Sequence, residues 1–578
     1  MIRPRVAGLA PAALAASLLL ASCGTATQEA SSSSSSSTTT STVVTNTALS
    51  LGVSGPLPAC LQPATAASEA GDALADLLLP SPFYEGADGS VNPNLNLLNN
   101  GRAEVVNTEP FTVVYEINPQ ARWSTGELLR AGDFVTAWRV RAISSLPAYA
   151  PYRLIKSVKA SGGGRTVTAT FSEAYADWRS LFRQLIPKSL EPVPGVDPCL
   201  PVGEQLPSAT PWRVSSVSGQ LVGATSNPRW WGSAPPFAGV QLHVAATQAE
   251  LAAWVAGGSV DVASSLDPAA ATIATAAQQR HHLRRISLTG QLIDLEMQTA
   301  GGPTESEALR RAIVASIDRQ AIVTATSGAS SLQYTPAASH LFAPNASAYP
   351  SGAYPSPTAT PGSSPAPSRG ALAAPTAQPE VAAKLLAKAR YHRVGGGWAA
   401  EDGKVLSLTL AVPPEEPMAT VGAAVAFQLT AAGIPTKVVP VAGVDAAGRE
   451  LQAGHVDAAI LLRMLTPYPT QAASWYSQGS GDFGALDYSG FSDPEVDALL
   501  DKASAELNPV YAVEDYRSVD ELLWAQAPTL PLLWRPQLWT ARRDLMGPED
   551  GVFGFNTTEL LNWKRTSTET VTGPSPRR

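Results

Sequence analysis

The 578-residue chain is poor in the residue types that most metal and nucleophilic chemistry draws on: three cysteines, six histidines and five methionines. None of His243, His281, His282, His340, His392 and His455 falls into H-E-x-x-H or another recognised ligand spacing, and adjacent His281 and His282 point different ways on most backbones. No resident metal or other cofactor is expected. No local pairing of Ser with His suggests a nucleophile, so no enzyme is expected either. Charged residues make up only 15% of the chain, the formal net charge is −8, and Lys and Arg nowhere cluster. That excludes nucleic acid as a partner, because phosphates demand clustered cations. After the first 22 residues no run of about 18 apolar residues occurs, so nothing later is expected to span a bilayer. Gly479-Ser-Gly481-Asp-Phe-Gly484 has the spelling G-x-G-x-x-G, but the loop-like Ala-Leu-Asp-Tyr-Ser-Gly follows it where a helix N-terminus would be needed. No nucleotide site is read there.

What is present begins at the N-terminus. Arg3 and Arg5 precede an apolar run from Ala7 to Leu20, and Leu20-Ala21-Ser22-Cys23 follows at once. This is the pattern of a bacterial lipobox: residues 1–22 read as a lipoprotein signal peptide, and Cys23 as the acylated new N-terminus. Each buried acyl CH₂ contributes about 0.8 kcal/mol, so a multiply acylated (palmitate-type) cysteine tethers a protein durably to the outer face of the cell membrane. Cleavage removes two arginines and no acid, taking the charge to −10. Residues 23–47, with Ser31 to Ser37 and further Ser and Thr, cannot bury enough apolar surface to offset their ordering entropy and read as a flexible stalk. The remaining residues, over 500, exceed one hydrophobic core and imply two or more lobes. Cys60 and Cys199 are left as an even pair in an oxidising compartment, and a disulfide between them is the natural reading.

Along the body, Ala48 to about Asn107 is a mixed opening segment. Phe111 to Ile117 alternates as a strand, and Ala131-Gly-Asp133 offers an N-cap for a helix through Phe134 and Trp138. Ile155 to Ala160 and Thr166 to Phe171 form a hairpin across Ser161 to Gly164. Ala176-Asp177 opens a helix whose apolar face carries Trp178, Leu181, Phe182 and Leu185. Ser306 to Val323 reads as one long helix, and residues 343–378 as a Pro/Ser/Ala-rich insertion. Leu406 to Val412, Ala419 to Ala432, Lys437 to Pro440 and Val456 to Leu462 give a β-α-β rhythm and hence a parallel sheet. Helices follow over Pro494 to Ala505 and Val510 to Ala527. The fold class is therefore α/β with mixed α+β outer segments. Of the thirteen tryptophans, Trp123, Trp230, Trp231, Trp398 and Trp475 lie in loop-like stretches where rigid rings can wall a cleft, although burial in local core is the commoner use of any single one.

Several stretches together resemble the family 5 solute-binding proteins of ABC importers, the oligopeptide and dipeptide type. Phe111 to Gly126 with Ala131-Gly-Asp-Phe134 is similar to that family's strand, W-[ST]-x-G turn and helix start. Arg165 to Phe171 with Asp177-Trp178, Asn227-Pro-Arg-Trp-Trp-Gly232, Leu309-Arg-Arg-Ala-Ile313 with Ile317-Asp-Arg319, Phe491 to Asp497 and Ala527 to Leu532 continue the likeness in order. Leu77-Leu-Leu-Pro-Ser-Pro-Phe83 looks like actinobacterial members. The resemblance implies a two-lobed, periplasmic-binding-protein-like fold with a hinge: 48–290 and 528–565 as the first lobe, 291–527 as the second, and a disordered tail from 566 to 578. It implies a monomer that closes on a small solute, such as an oligopeptide, and docks on ABC permease subunits in the membrane. In peptide-binding members an Asp after the strand near Val456 to Leu462 holds the peptide ammonium; this chain has Thr466 at the matching place. Arg463, Thr466, Tyr468 and Trp475 are the ligand-binding residues the resemblance implies, with Arg463 suited to an anionic or sugar-phosphate group. Some actinobacterial relatives, of the LpqW type, are tied to envelope mannoside glycolipid assembly, and the second reading is a non-transport envelope lipoprotein of the same fold, an interaction or regulatory factor in that assembly with a glycolipid as partner.

Overall fold

The structure is a computed structural model that describes residues 40–569, apart from 45–46, 62–68, 87–89, 144–146, 191–199, 267–269, 328–331, 345, 347, 350–374, 478–486 and 548–559. The lipobox, Cys23, Cys199, the G-x-G-x-x-G stretch and most of the 343–378 insertion lie outside the described residues, as does the stalk up to residue 39. The chain divides into a small unit, 1–42 with 568–578, and a large one, 43–567.

One eleven-stranded mixed sheet runs through the large unit. In order its main strands are Trp212–Ser218, Leu221–Ser226, Gly239–Ala245, Ala48–Ser54, Val262–Ser265, Thr529–Ala541, Leu283–Met297, Ala458–Met464, Leu408–Val412 and Thr436–Pro440. The expected parallel β-α-β unit is present: Leu408–Val412 pairs parallel with both Thr436–Pro440 and Ala458–Met464, with the helix Met418–Ala431 as crossover. Two long strands, Leu283–Met297 and Thr529–Ala541, pair antiparallel at the centre of the sheet order. Thr529–Ala541 is buried at twelve of its thirteen positions, as a strand covered on both faces must be. The pairing of these strands is irregular between Leu288 and Leu292. Gly290 sits in that gap, and its carbonyl accepts from the Leu465 amide at 2.7 Å. The approach leaves no room for a Cβ, which would meet the Leu465 carbonyl oxygen.

The apolar residues fall into separate clusters. The first joins Leu49, Leu51 and Leu74 with Tyr115, Phe134, Phe182, Trp212, Leu242, Trp539 and Trp563. On it rests a four-stranded antiparallel sheet, Leu98–Thr108, Phe111–Ile117, Thr166–Phe171 and Ile155–Ser161. The second and third clusters gather residues such as Ile293, Leu295, Leu410, Val425 and Leu532, and Leu292, Trp475, Tyr476, Phe491, Tyr516 and Trp534. We call the parts built on the first cluster, and on the second and third, the first and second lobes.

Four readings are corrected. The long helix over 306–323 is two helices, Glu307–Ser316 and Arg319–Ser327, broken at extended Ile317. Asp318 makes the break: its Oδ1 accepts from the Ala321 amide at 2.8 Å, and Arg319 turns inward to donate to the carbonyls of Ala337 and Pro531 at 2.6 and 2.9 Å. Asp133 is not the N-cap of Ala131–Ala142 but its third residue, reaching back to accept from the Arg130 amide at 2.7 Å. The helix from Ala176 is only the 3₁₀ turn Trp178–Ser180, although Trp178, Leu181, Phe182 and Leu185 are all buried. Finally, the strand Lys564–Glu569, paired with Leu545–Met546, begins before residue 566 and runs past it, so the start of the expected tail carries strand. Cys60 is disulfide-bonded, and its strand Cys60–Leu61 pairs with Leu200–Pro201, which places the chain next to position 199 beside it.

Candidate functional site

The turn that replaces the expected helix is strained. Phe182 and Gln184 both have left-handed backbones, φ 61° and 49°, which costs non-glycine residues about 1–2 kcal/mol each. The surroundings hold them there. The Phe182 amide donates to the Tyr152 hydroxyl at 2.5 Å, and the Gln184 amide to Ser81 Oγ at 2.9 Å. Buried Arg141 donates to the carbonyls of Arg183 and Gln184 at 2.7 and 3.0 Å. Phe182 itself packs edge-on to Tyr115 and Tyr152. Strain of this kind gathers where a side chain must be presented, and the one presented is Arg183. Its guanidinium meets Glu85 at 3.1 Å. Burial would lower its pKa, but Glu85, Asp76 and Asp72 hold it above its ordinary value.

Opposite lies the helix Glu69–Leu78, which falls inside the mixed opening segment and carries no expectation from the sequence. Its core side carries Ala70, Ala73, Leu74, Leu77 and Leu78, and its other side carries Glu69, Asp72 and Asp76 at i, i+3 and i+7. That spacing was the available signal. At one end the Ser264 hydroxyl donates to Glu69, supported by Gln537 Nε2 on Ser264 Oγ at 2.8 Å. Burial pushes the Glu69 carboxyl up. At the other end Gln184 Nε2 donates to Asp76 Oδ1 at 3.0 Å. Asp72, between them, is pushed up to about 7 by burial, then by Asp76 and Glu69, against the pull of Arg183.

Asp76, Glu85 and Arg183 also line a recess walled by Phe83, Tyr84, Trp230 and Trp231. The two indoles pack at 4.5 Å with their planes tilted by 44°, and their N–H groups donate to the carbonyls of Ser233 and Asn96, both at 2.8 Å. With those donors engaged, the rings offer the recess only apolar surface.

The second lobe meets this wall through the loop after Ala458–Met464. The Thr470 amide donates to Asp177 Oδ2 at 2.9 Å, and the Ala176 amide to the Ser504 carbonyl at 2.7 Å, so the lobes touch. Asp177 is pushed up to about 6 by burial, Thr470 and Arg179 opposing. Tyr468 is 6% exposed, and the charges that act on its hydroxyl are Glu85, Arg183, Asp177 and Arg179, all from the first lobe.

The other residues expected to bind ligand lie deeper. Arg463 is 6% exposed and forms an ion pair with Asp294 Oδ2 at 2.8 Å and a second with Glu296. Its guanidinium also stacks 4.7 Å from the Trp475 ring centre and 5.4 Å from that of Tyr476. An arginine expected to face an anion is thus neutralised within its own lobe. Burial raises the pKa of both carboxyls, with Arg463 opposing. Trp475 is buried in the third cluster and does not wall the recess. Thr466 is half-buried and shapes its own loop, its Oγ1 accepting from the Tyr468 amide at 3.1 Å and lying 3.0 Å from Gln471 Oε1. Buried His340 is satisfied by Asp520, 2.9 Å from Nδ1. Among the described residues no group of three His, Cys, Asp or Glu could hold a metal, and no helix is long and apolar enough to cross a membrane.

Residues 96–485 match the family described as bacterial extracellular solute-binding proteins, family 5 Middle. The chain is 26% identical over 504 residues to the oligopeptide-binding protein OppA of Mycobacterium tuberculosis, covering 81% of this chain and 76% of that one. A shorter likeness, 29% over 208 residues, covers 33% of this chain and 31% of the probable monoacyl phosphatidylinositol tetramannoside-binding protein LpqW of the same species. Among solved structures, the periplasmic EDTA-binding protein EppA superposes with a TM-score of 0.74 at 23% identity, covering 90% of this chain and 98% of EppA. The oligopeptide-binding protein AppA of Bacillus subtilis, in complex with a nonapeptide, gives 0.68 at 15%, covering 90% and 100%. These two share the fold.

Proposed function

We propose, from the premise that this chain belongs to the bacterial extracellular solute-binding proteins of family 5, that its cargo is a peptide held between the two lobes. The chain is a binding protein of ABC import and not an enzyme; what is proposed is the cargo, the anchor and the site. The observation that carries the cargo is a wall of mixed charge where the lobes meet. Asp72, Asp76 and Glu85 stand with Arg183 in the first lobe, and Tyr468 of the second lies in the field of Glu85, Arg183, Asp177 and Arg179. A peptide brings both signs of charge and a polar backbone to such a wall, and lobe closure would bury it. The likeness to an oligopeptide-binding protein over 81% of this chain supports the same reading, while the likeness to LpqW covers a third of the chain.

Native mass spectrometry of the secreted chain, never unfolded, tests the cargo. Co-purified masses that fragment as a peptide mixture are expected; a mannoside glycolipid mass would move the function to the envelope reading. A monomeric chain is expected in the same spectra. We further propose that Cys23 carries the lipid. Cys23→Ser should shift the protein from the membrane fraction to the medium, and retention of the variant on membranes would remove the anchor.

A further inference from the structure

The chain is negative overall and its Lys and Arg form no long run, yet the fold assembles a positive surface. No acidic residue occurs between Asp267 and Asp294, nor between Glu521 and Asp544. Antiparallel pairing brings these two stretches together. Leu283 lies opposite Ala541 and Arg284 opposite Thr540, so Arg542 and Arg543 arrive beside His281 and His282. The two acids at this place are already taken: Asp544 by Arg542 at 2.9 Å, and Asp261 by Arg565 at 2.6 Å. Exposed Arg280, Arg284, Arg285 and Arg543 form no ion pair with any described residue. What two of them hold is neutral. Arg280 Nε donates to the Ala256 carbonyl at 2.5 Å and Arg543 Nε to the His281 carbonyl at 2.6 Å, which fixes the side chains and leaves their charge uncancelled. His281 itself follows the helix Ala271–Gln279 with a left-handed backbone, φ 55°, just past the C-cap where glycine is usual. Beside these groups opens a recess of about 630 Å³, lined by Gln278, His281, Arg284 and Arg543 with Ile286 and Leu538.

Arg284 and Arg285 by themselves have a structural use. Among the described strands the segment 283–288 pairs only with Thr529–Ala541, because Ala458–Met464 joins from Gln291 onward, and charge on a free edge deters stray pairing. That use does not account for Arg280 and Arg543, which come from neighbouring segments. The place of the surface in the fold says what it faces. Strand Ala48–Ser54 pairs parallel with Val262–Ser265 from Leu51 onward, and Val262 lies opposite Ala541, so the body of the chain starts at this same end of the sheet. The Ser50 amide donates to Asp261 Oδ2 at 2.8 Å, the carboxylate that also holds Arg565. The residues from Cys23 to Ala48 reach at most about 80–90 Å when fully extended. A body tethered within that distance meets the membrane at high effective concentration.

We propose that Arg280, Arg284, Arg285 and Arg543, with the recess beside them, dock the body of the protein on an anionic phospholipid surface, their guanidinium groups meeting lipid phosphates. A planar guanidinium matches a phosphate with two parallel N–H bonds. Ile286, 42% exposed among these cations, offers an apolar contact that suits lipid more than the carboxylates of a protein. The proposal rests on the reading of Cys23 as the anchor and adds to it: the lipid holds the chain, and the arginines orient the body against the membrane.

The test uses the secreted Cys23→Ser chain, which carries no lipid, so a failure of the anchor and a failure of this surface are read in different experiments. The chain is floated with vesicles of phosphatidylcholine alone, and of phosphatidylcholine with about 30% phosphatidylglycerol. Binding to the anionic vesicles should exceed binding to the neutral ones by about tenfold or more, and should be lost at about 0.5 M salt. Arg284→Gln with Arg543→Gln should weaken it by about fivefold per arginine. Lys156→Gln with Lys159→Gln makes the same change in net charge on the strand Ile155–Ser161 and should leave binding unchanged. Thermal melts check that both variants fold. Equal binding to neutral vesicles, or an equal loss in both variants, would overturn the proposal. Absence of binding to anionic vesicles would overturn it too, and capture on immobilised polyglutamate in that case would move the surface to an acidic protein partner. Four arginines hold an untethered chain only weakly, so release of Cys23→Ser into the medium is still expected.

Discussion

Two arginines face clusters of carboxylates in this protein, one in each lobe, and the lobes use them in opposite ways. Arg463 is enclosed: two carboxylates from the neighbouring strand bind it, two aromatic rings cover it, and its side chain is 5% exposed. Arg183 is presented: its side chain is 43% exposed, its backbone is flanked by two left-handed residues, and its carboxylates outnumber it. The first arrangement satisfies itself and has nothing left for a ligand. The second leaves a carboxylate unpaired and a recess open beside it. A buried ion pair is costly to assemble and costlier to break, so it belongs to architecture. A half-exposed one contributes little to stability and remains available for recognition.

Removing one arginine at a time should separate these roles. The largest effect on stability is expected from Arg463→Met, which strands Asp294 and Glu296 in the interior and should cost about 3–5 kcal/mol in urea unfolding; adding Glu296→Gln should recover part of it. A stability loss below about 1 kcal/mol would contradict the enclosed arrangement. Arg183→Ala should leave unfolding within about 1 kcal/mol of wild type yet change peptide affinity ten- to hundred-fold, about 1.4–2.8 kcal/mol. If it unfolded the protein as Arg463→Met does, the contrast between the two arginines would be lost.

The smallest effect concerns the contact between lobes. Asp177 is pushed up to about 6 in the closed contact, above its usual value near 3.8, so the closed form takes up its proton more readily than an open form would. Closure gains from this group below about pH 4 and loses that gain as pH rises through about 6. Small-angle scattering from about pH 7.5 to about pH 4, spanning that window, should therefore show a modest shift toward the compact form, and Asp177→Asn should flatten it. A wild-type profile that opens on acidification would reverse the assigned sign.

The elements most legible in the sequence were those whose local signals agree. Phe111–Ile117 alternates strictly, and the structure buries every second residue of it. Pro494–Ala505 opens with Asp493, whose Oδ1 accepts from the Glu495 and Val496 amides at 2.9 and 3.0 Å, and with Pro at its first position. The turn after Asp177 misled because its apolar residues recur at helical spacing. Burial asks only that Trp178, Leu181, Phe182 and Leu185 reach the core, and the hydroxyls of Tyr152 and Ser81 with the guanidinium of Arg141 supplied amide and carbonyl partners outside any helix. The helix Glu69–Leu78 was hidden among Pro and Gly turns even though its acidic stripe was readable.

By itself the sequence determined the α/β alternation, the succession of elements along the second lobe and the family likeness, because periodicity, caps and turn residues act over a few positions. The tertiary structure alone decided which charges are satisfied. Arg463 and Arg183 look alike in sequence, and only the chain crossings that bring residues 294 and 296 to one, and residues 72, 76 and 85 to the other, distinguish an enclosed ion pair from a half-exposed one. Electrostatic pairing depends on distance and burial across hundreds of residues, and no local pattern encodes either.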